Sequence, residues 1–189
     1  TATARSLEEL SVKRPPLRPA VVVDRPEERS SGPRFGNLVH ALLSLIPWDI
    51  SEAELHGLAR HQGAALGSTA SEIQDAAKAV LGFLAHPSFD LVRCARSVYR
   101  ELPLTYLEIE RAAEPLSAGG ANAGTPTGGV IVDGVMDLLL ELPDEWLVID
   151  YKTDRPTSAL AKYERQVALY CDGVSRCFKK SATGLLVFL

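Results

Sequence analysis

Two apolar runs joined by one tight turn constrain this chain more than any other feature. Residues 130–142 read VIVDGVMDLLLEL and residues 146–151 read WLVIDY, with Pro143-Asp144-Glu145 between them. Runs rich in Val, Ile and Leu on either side of so short a turn predict an antiparallel β-hairpin. An even-numbered loop centred between Pro143 and Asp144 pairs residues whose numbers sum to 287. Asp137 then lies opposite Asp150, and directly opposed residues share a face. Lys152, two residues further on, shares that face too. A register slip of one would put the two aspartates on opposite faces. Facing carboxylates repel, and they belong together if a cation sits between them. The apolar flanks, LLL after Asp137 and LVI before Asp150, set the charges at the edge of a core. The plainer alternatives are a solvent-facing Asp137 and a surface Asp150–Lys152 pair worth under about 1 kcal/mol.

Upstream the periodicity is helical. From Phe35 onward, Leu38, Leu42, Leu45 and Ile46 form an apolar stripe, with His40 off its centre. Residues 51–66 predict a second helix, opened by Ser51 with Glu54 three later, a capping-box pattern. Residues 69–85 predict a third, with Ile73, Ala76, Ala77, Val80, Leu81 and Leu84 on the helical period and Pro87 as its stop. Residues 97–109, SVYRELPLTYLEI, predict a strand, and residues 157–179 a long helix. On that helix Tyr163, Gln166 and Tyr170 share one face, and polar groups on a packing face need partners. A partly buried aromatic stripe with one satisfied glutamine is the simpler explanation. The terminal GLLVFL predicts a buried strand. Residues 1–32 are a proline-interrupted, linker-like lead-in in which AVVVD can add one short strand. Residues 117–129, SAGGANAGTPTGG, are flexible by composition. The domain proper is expected over 33–189, with a helical portion (33–96) and a sheet core (97–189). The proline-rich start and abrupt apolar end suggest a domain cut from something longer.

Composition narrows the classes. Hydrophobic residues make up 46% and charged ones 23% of the 189, ordinary for a globular domain. No apolar run approaches a membrane span, and the first residues lack the apolar core of a signal peptide. Cys94, Cys171 and Cys177 form no CxxC pair and fit a reducing, cytoplasmic compartment. The net charge of −4 hides an asymmetry: residues 152–180 carry +4 and the remainder −8. Lys152, Arg155, Lys162, Arg165, Arg176, Lys179 and Lys180 supply the positive charge. A basic helix beside carboxylates suits a metal site next to a phosphate track, although a solvated helix face also explains it. There is no GxxxxGK[ST] loop, so the chain is no ATP-driven motor by itself. His56, His61 and His86 have no zinc-site spacing, and Ser44, Ser51 and Cys94 lack a nucleophile elbow.

The pieces GNLVHALLSL, YRELPL, GVMDLLLEL, DYKTD and YERQVALY, in that order, resemble the successive motifs of the RecB-family nuclease domain. That family is a branch of the PD-(D/E)XK nucleases. The resemblance is strongest to the C-terminal nuclease domain of AddA-type (UvrD/Rep-like) helicase–nucleases and runs from about residue 33 to the end. It implies an α/β fold, a mixed central sheet flanked by helices, with His40 on the N-terminal helical portion. It also implies roles. His40, Asp137, Asp150 and the Tyr151 backbone carbonyl would bind metal; Asp137, Asp150 and Lys152 would be catalytic. Gln166 and Tyr170 match the family's QxxxY helix motif near the DNA, with Lys162 and Arg165 as further DNA contacts. Glu101 sits where many members have a glutamate, as a candidate accessory group.

The implied function is metal-dependent hydrolysis of DNA phosphodiesters during double-strand break repair and recombination. An exonuclease on single-stranded ends is expected, fed by an upstream helicase domain and partnered by an AddB-like subunit. Oxygen ligands suit Mg2+, and histidine brings Mn2+ within reach in vitro. Three scattered cysteines cannot hold the iron–sulfur cluster of some relatives. Lys152 would orient the attacking water or neutralise charge developing on the phosphate. Two rivals stand: a degenerate scaffold that binds DNA or docks onto a larger complex, and a stand-alone nuclease.

Overall fold

The structure is a computed structural model that describes residues 17–23, 28–111, 126–155 and 159–189. Helices lead. They are α1 (Pro33–Leu45), α2 (Glu52–Ala65) and α3 (Ala70–Ala85). Pro33 opens α1 where its missing N–H would have had no partner. Ser51 and Glu54 close the expected capping box on α2, and Thr69 with Glu72 close another on α3. A 3-10 turn (Pro87–Phe89) and the short α4 (Asp90–Arg93) follow. The strands are β1 (Val21–Val22), β2 (Ser97–Arg111), β3 (Pro126–Glu141), β4 (Trp146–Lys152) and β5 (Ala182–Phe188). Helix α5 (Leu160–Phe178) lies between β4 and β5 in sequence.

The strands form one sheet in the order β1-β5-β4-β3-β2. β2, β3 and β4 run antiparallel, whereas β4, β5 and β1 are parallel. Parallel neighbours need a crossover, and α5 is that crossover between β4 and β5. The result is the expected mixed sheet flanked by helices. On one face α1 and α3 pack Phe35, Leu38, Leu42, Val80 and Phe83 against Leu138, Leu140, Leu147 and Ile149. On the other face α5 packs Val167, Cys171 and Val174 against Met136, Leu139, Trp146 and Val148.

Two expectations change. Leu45 is 54% exposed, and Val39 and Leu43 are buried instead. The buried arc of α1 centres on Phe35, Val39 and Leu42, and Leu45 falls at its margin. Residues 126–129, expected in the flexible stretch, extend β3. The rest of that stretch, 117–125, lies outside the described residues, as do 1–16 and 24–27 of the lead-in and 157–158 of the predicted helix. The lead-in does contribute β1, which pairs with β5 at the sheet edge.

Candidate active site

The hairpin register is the predicted one. Leu138 pairs with Ile149, Leu139 with Val148, Leu140 with Leu147 and Glu141 with Trp146. The ladder ends one step before Asp137 and Asp150. Continued further, it would pair Tyr151 with Met136; instead the Tyr151 N–H donates to Asp137 Oδ2 at 2.7 Å. The strands part here, and a carboxylate fills the gap.

β2 breaks in the same row. Arg100 pairs with Leu138 and Leu102 with Met136, but no pair forms between Glu101 and Asp137, which lie between them. Glu101 has φ 47, left-handed backbone in a residue other than glycine. Side-chain alternation inverts across this row. Leu138 belongs to the core under α1 and α3, and Met136, two residues earlier, belongs to the core under α5. On β2, Val98 packs with the first core and Leu102 with the second. A regular strand keeps residues i and i+2 on one face, so both strands roll over at Glu101 and Asp137. Such backbone strain costs on the order of 1–3 kcal/mol and tends to be kept at functional sites.

The predicted residues converge on this break from both layers. From α1, His40 Nδ1 lies 3.1 Å from Asp137 Oδ1. Burial opposes the His40 imidazolium, but the Asp137 hydrogen bond and the charges of Asp137 and Asp150 outweigh it and raise its pKa. The negative field that draws a proton onto His40 is the field a metal ion would feel. Glu101 is largely exposed, yet partial burial of its carboxyl and the nearby Asp137 charge raise its pKa, with His40 opposing. Donor atoms of His40, Glu101 and Asp137 all lie within 4.8 Å of one another. Asp150 is not part of that tight group.

Asp150 instead faces the α5 layer. It is 2% exposed, and burial together with the Asp137 charge pushes its pKa up to about 6. Lys152 Nζ opposes this from 2.5 Å. The Lys152 ammonium is the charged partner of the buried Asp150 Oδ2. Among the described residues the other buried carboxylate is Glu72, which Arg34 and its own capping box satisfy. A carboxylate buried beside another carboxylate is the setting in which a cation is stabilising.

Lys152 meets the α5 face on which Tyr163 and Gln166 lie. Lys152 Nζ lies 3.5 Å from Gln166 Oε1 and 4.6 Å from the centre of the Tyr163 ring. Gln166 Nε2 donates to the Tyr170 hydroxyl at 3.0 Å. The Tyr163 hydroxyl donates to Asp154 Oδ2 at 2.5 Å, and this bond pushes its pKa up to about 12. Lys162 is exposed and Arg165 half-buried on the same helix. Sequence reasoning left two participants without a role. Asp154, the last residue of DYKTD, anchors Tyr163 over Lys152. Arg100, beside Glu101, binds the end of α1, a link that no local pattern announces.

The fold is that of a nuclease domain: a model of the PD-(D/E)XK nuclease superfamily matches residues 11–188, and the chain belongs to that superfamily. Members usually use divalent metals, and the His40, Glu101 and Asp137 donors fit one. Among individual proteins, the chain is similar to the A subunit of the ATP-dependent helicase/nuclease of Heliobacterium modesticaldum. The two are 32% identical over 120 residues, covering 58% of this chain. It is also similar to the protein of that name from Alkaliphilus oremlandii, 30% identical over 104 residues and 52% of this chain. The matched region spans 8% of the length of each of these relatives.

Proposed function

We propose that this domain is a divalent-metal-dependent deoxyribonuclease that acts as an exonuclease on single-stranded ends during double-strand break repair. The observation that carries the reading is the convergence of His40, Glu101 and Asp137 within 4.8 Å, beside the buried Asp150–Lys152 pair. A scaffold has no need for a buried carboxylate beside a second one at the edge of a core.

His40, Asp137 and Asp150 would hold the ion, with Glu101 as an accessory ligand. The Tyr151 carbonyl fits the same role: its N–H points to Asp137, and a strand residue sends N–H and C=O to one side. Mg2+ suits this oxygen-rich set, and His40 makes Mn2+ effective in vitro. A bound divalent ion supplies Lewis acidity toward the phosphate and the attacking water. Water forms a new bond to phosphorus in line with the 3′ oxygen, whose bond breaks, leaving a 5′ phosphate and a 3′ hydroxyl. Lys152, fixed by Asp150, Gln166 and Tyr163, is placed to neutralise charge developing on the phosphate. Gln166 and Tyr170 line its approach, and Lys162 and Arg165 extend a basic track along α5.

The similarity to A subunits of helicase/nucleases supports a setting in which an upstream helicase domain delivers the strand; a cytoplasmic location and an AddB-like partner subunit complete the proposal. Among the described residues no helix is long and apolar enough to cross a membrane.

The test is degradation of end-labelled single-stranded DNA with Mg2+ or Mn2+, beside the Asp150→Ala protein. Cleavage by the parent alone supports the reading. Equal cleavage by both would remove Asp150 from the site. Cleavage by neither, with no ion bound in calorimetry, would favour the scaffold.

A further inference from the structure

We propose that Arg100 is a positioning residue for the metal site, acting through the helix that carries His40. This rests on the metal-site reading above. Helix α1 has no basic side chain in its last turn. The last carbonyls of a helix find no partner within it. Arg100, from β2, supplies one: its Nη1 donates to the carbonyls of Ser44 at 3.2 Å and Ile46 at 2.5 Å. Its positive charge also meets the negative end of the helix dipole. The guanidinium carbon lies 3.5 Å from the centre of the Trp48 ring, a third contact that fixes the group in place.

Two features tie this clasp to the site. Ser44 lies one helical turn beyond His40, so the clasp holds the turn next to the one that aims the imidazole. Arg100 also immediately precedes Glu101, and it is the last β2 residue to pair in register before the row breaks. One side chain thus joins the helix bearing His40 to the strand bearing Glu101, across sequence separations of 56 and 54 residues. The 4.8 Å grouping of His40, Glu101 and Asp137 needs α1 and β2 to keep this spacing. Lysine is a poor substitute, because a compact ammonium cannot bridge two carbonyls and stack on an indole together.

The experiment is Mn2+ titration calorimetry on the full chain, with thermal melts and strand cleavage measured across Mn2+ concentrations. Arg100→Ala should weaken Mn2+ binding by about 10- to 100-fold, the usual cost of losing a group that orients a metal ligand. Arg100→Lys should fall between it and the parent. Turnover at saturating Mn2+ should change far less than the affinity. If Arg100→Ala does not fold, Arg100→Lys carries the test. Variants that melt earlier yet bind Mn2+ as the parent does would overturn the inference and leave Arg100 an ordinary brace. A parent protein that binds no Mn2+ would overturn the metal-site reading and this inference with it.

Discussion

Asp137 stands in for a β-ladder carbonyl: its Oδ2 accepts the backbone N–H of Tyr151 at 2.7 Å, where the strands would otherwise pair. Its Oδ1 meanwhile faces His40. One side chain therefore has a structural and a chemical task, and substitutions separate them. Asp137→Asn keeps an acceptor for Tyr151 and should fold normally while losing metal binding and cleavage. Asp137→Ala leaves a buried N–H without a partner and should cost about 1–3 kcal/mol more. Chemical denaturation beside Mn2+ titration measures both. Equal stability of the two variants would mean that water satisfies the Tyr151 N–H.

The buried Asp150 predicts a pH dependence with a definite sign. Its folded pKa of about 6 exceeds the ordinary aspartate value of 3.8. Between those values the folded domain keeps a proton that the unfolded chain has released. Metal-free stability from this group therefore falls as pH rises from about 4 to 6. Asp150→Asn removes the titration. In EDTA its melting temperature should pull ahead of the parent's across that window, while cleavage is lost at every pH. Melting curves that stay parallel across that window and up to neutral pH would contradict the burial-driven shift.

Lys152 is a partner of Asp150 but no ligand. Lys152→Ala should lower turnover by about 100-fold or more, the scale of losing one group that stabilises transition-state charge. Metal affinity should not weaken, because a positive charge beside the site has been removed. Loss of metal binding in that protein would instead make Lys152 a brace for the Asp150 carboxylate.

Gly134 gives Tyr170 its place. A Cβ at Gly134 would overlap the Tyr170 hydroxyl, the group that Gln166 holds. Gly134→Ala should cost about 1–3 kcal/mol through overpacking. It should also lower turnover by moving Gln166 and Tyr170 away from Lys152. Unchanged turnover at reduced stability would show that the Gln166–Tyr170 pair is packing only.

The basic track on α5 predicts a salt signature. Lys162→Ala or Arg165→Ala should weaken single-stranded DNA binding and shrink the salt slope by about one unit for each phosphate no longer neutralised. A defect independent of salt would point to folding rather than to DNA recognition.

Much of this protein follows from local chemistry. The hairpin register was legible because Pro143, Asp144 and the apolar runs on either side leave an even, unbulged turn, and arithmetic then puts Asp137 opposite Asp150. The Tyr163, Gln166 and Tyr170 face was legible because 3.6-residue periodicity depends on spacing alone. Helix starts at Ser51 and Thr69 are local in the same sense. Tertiary structure alone decided that β2 and β3 invert their faces at Glu101 and Asp137. No propensity marks a glutamate for φ 47; packing on either side of it imposes that conformation. It also decided that Glu101 joins His40 and Asp137 while Asp150 turns to Lys152, because Asp137 lies where the two layers meet at the parting strands. And it decided that Arg100 ends a helix more than fifty residues upstream. Spacing along a chain shows which side chains share an element's face; only packing brings separate elements to one site.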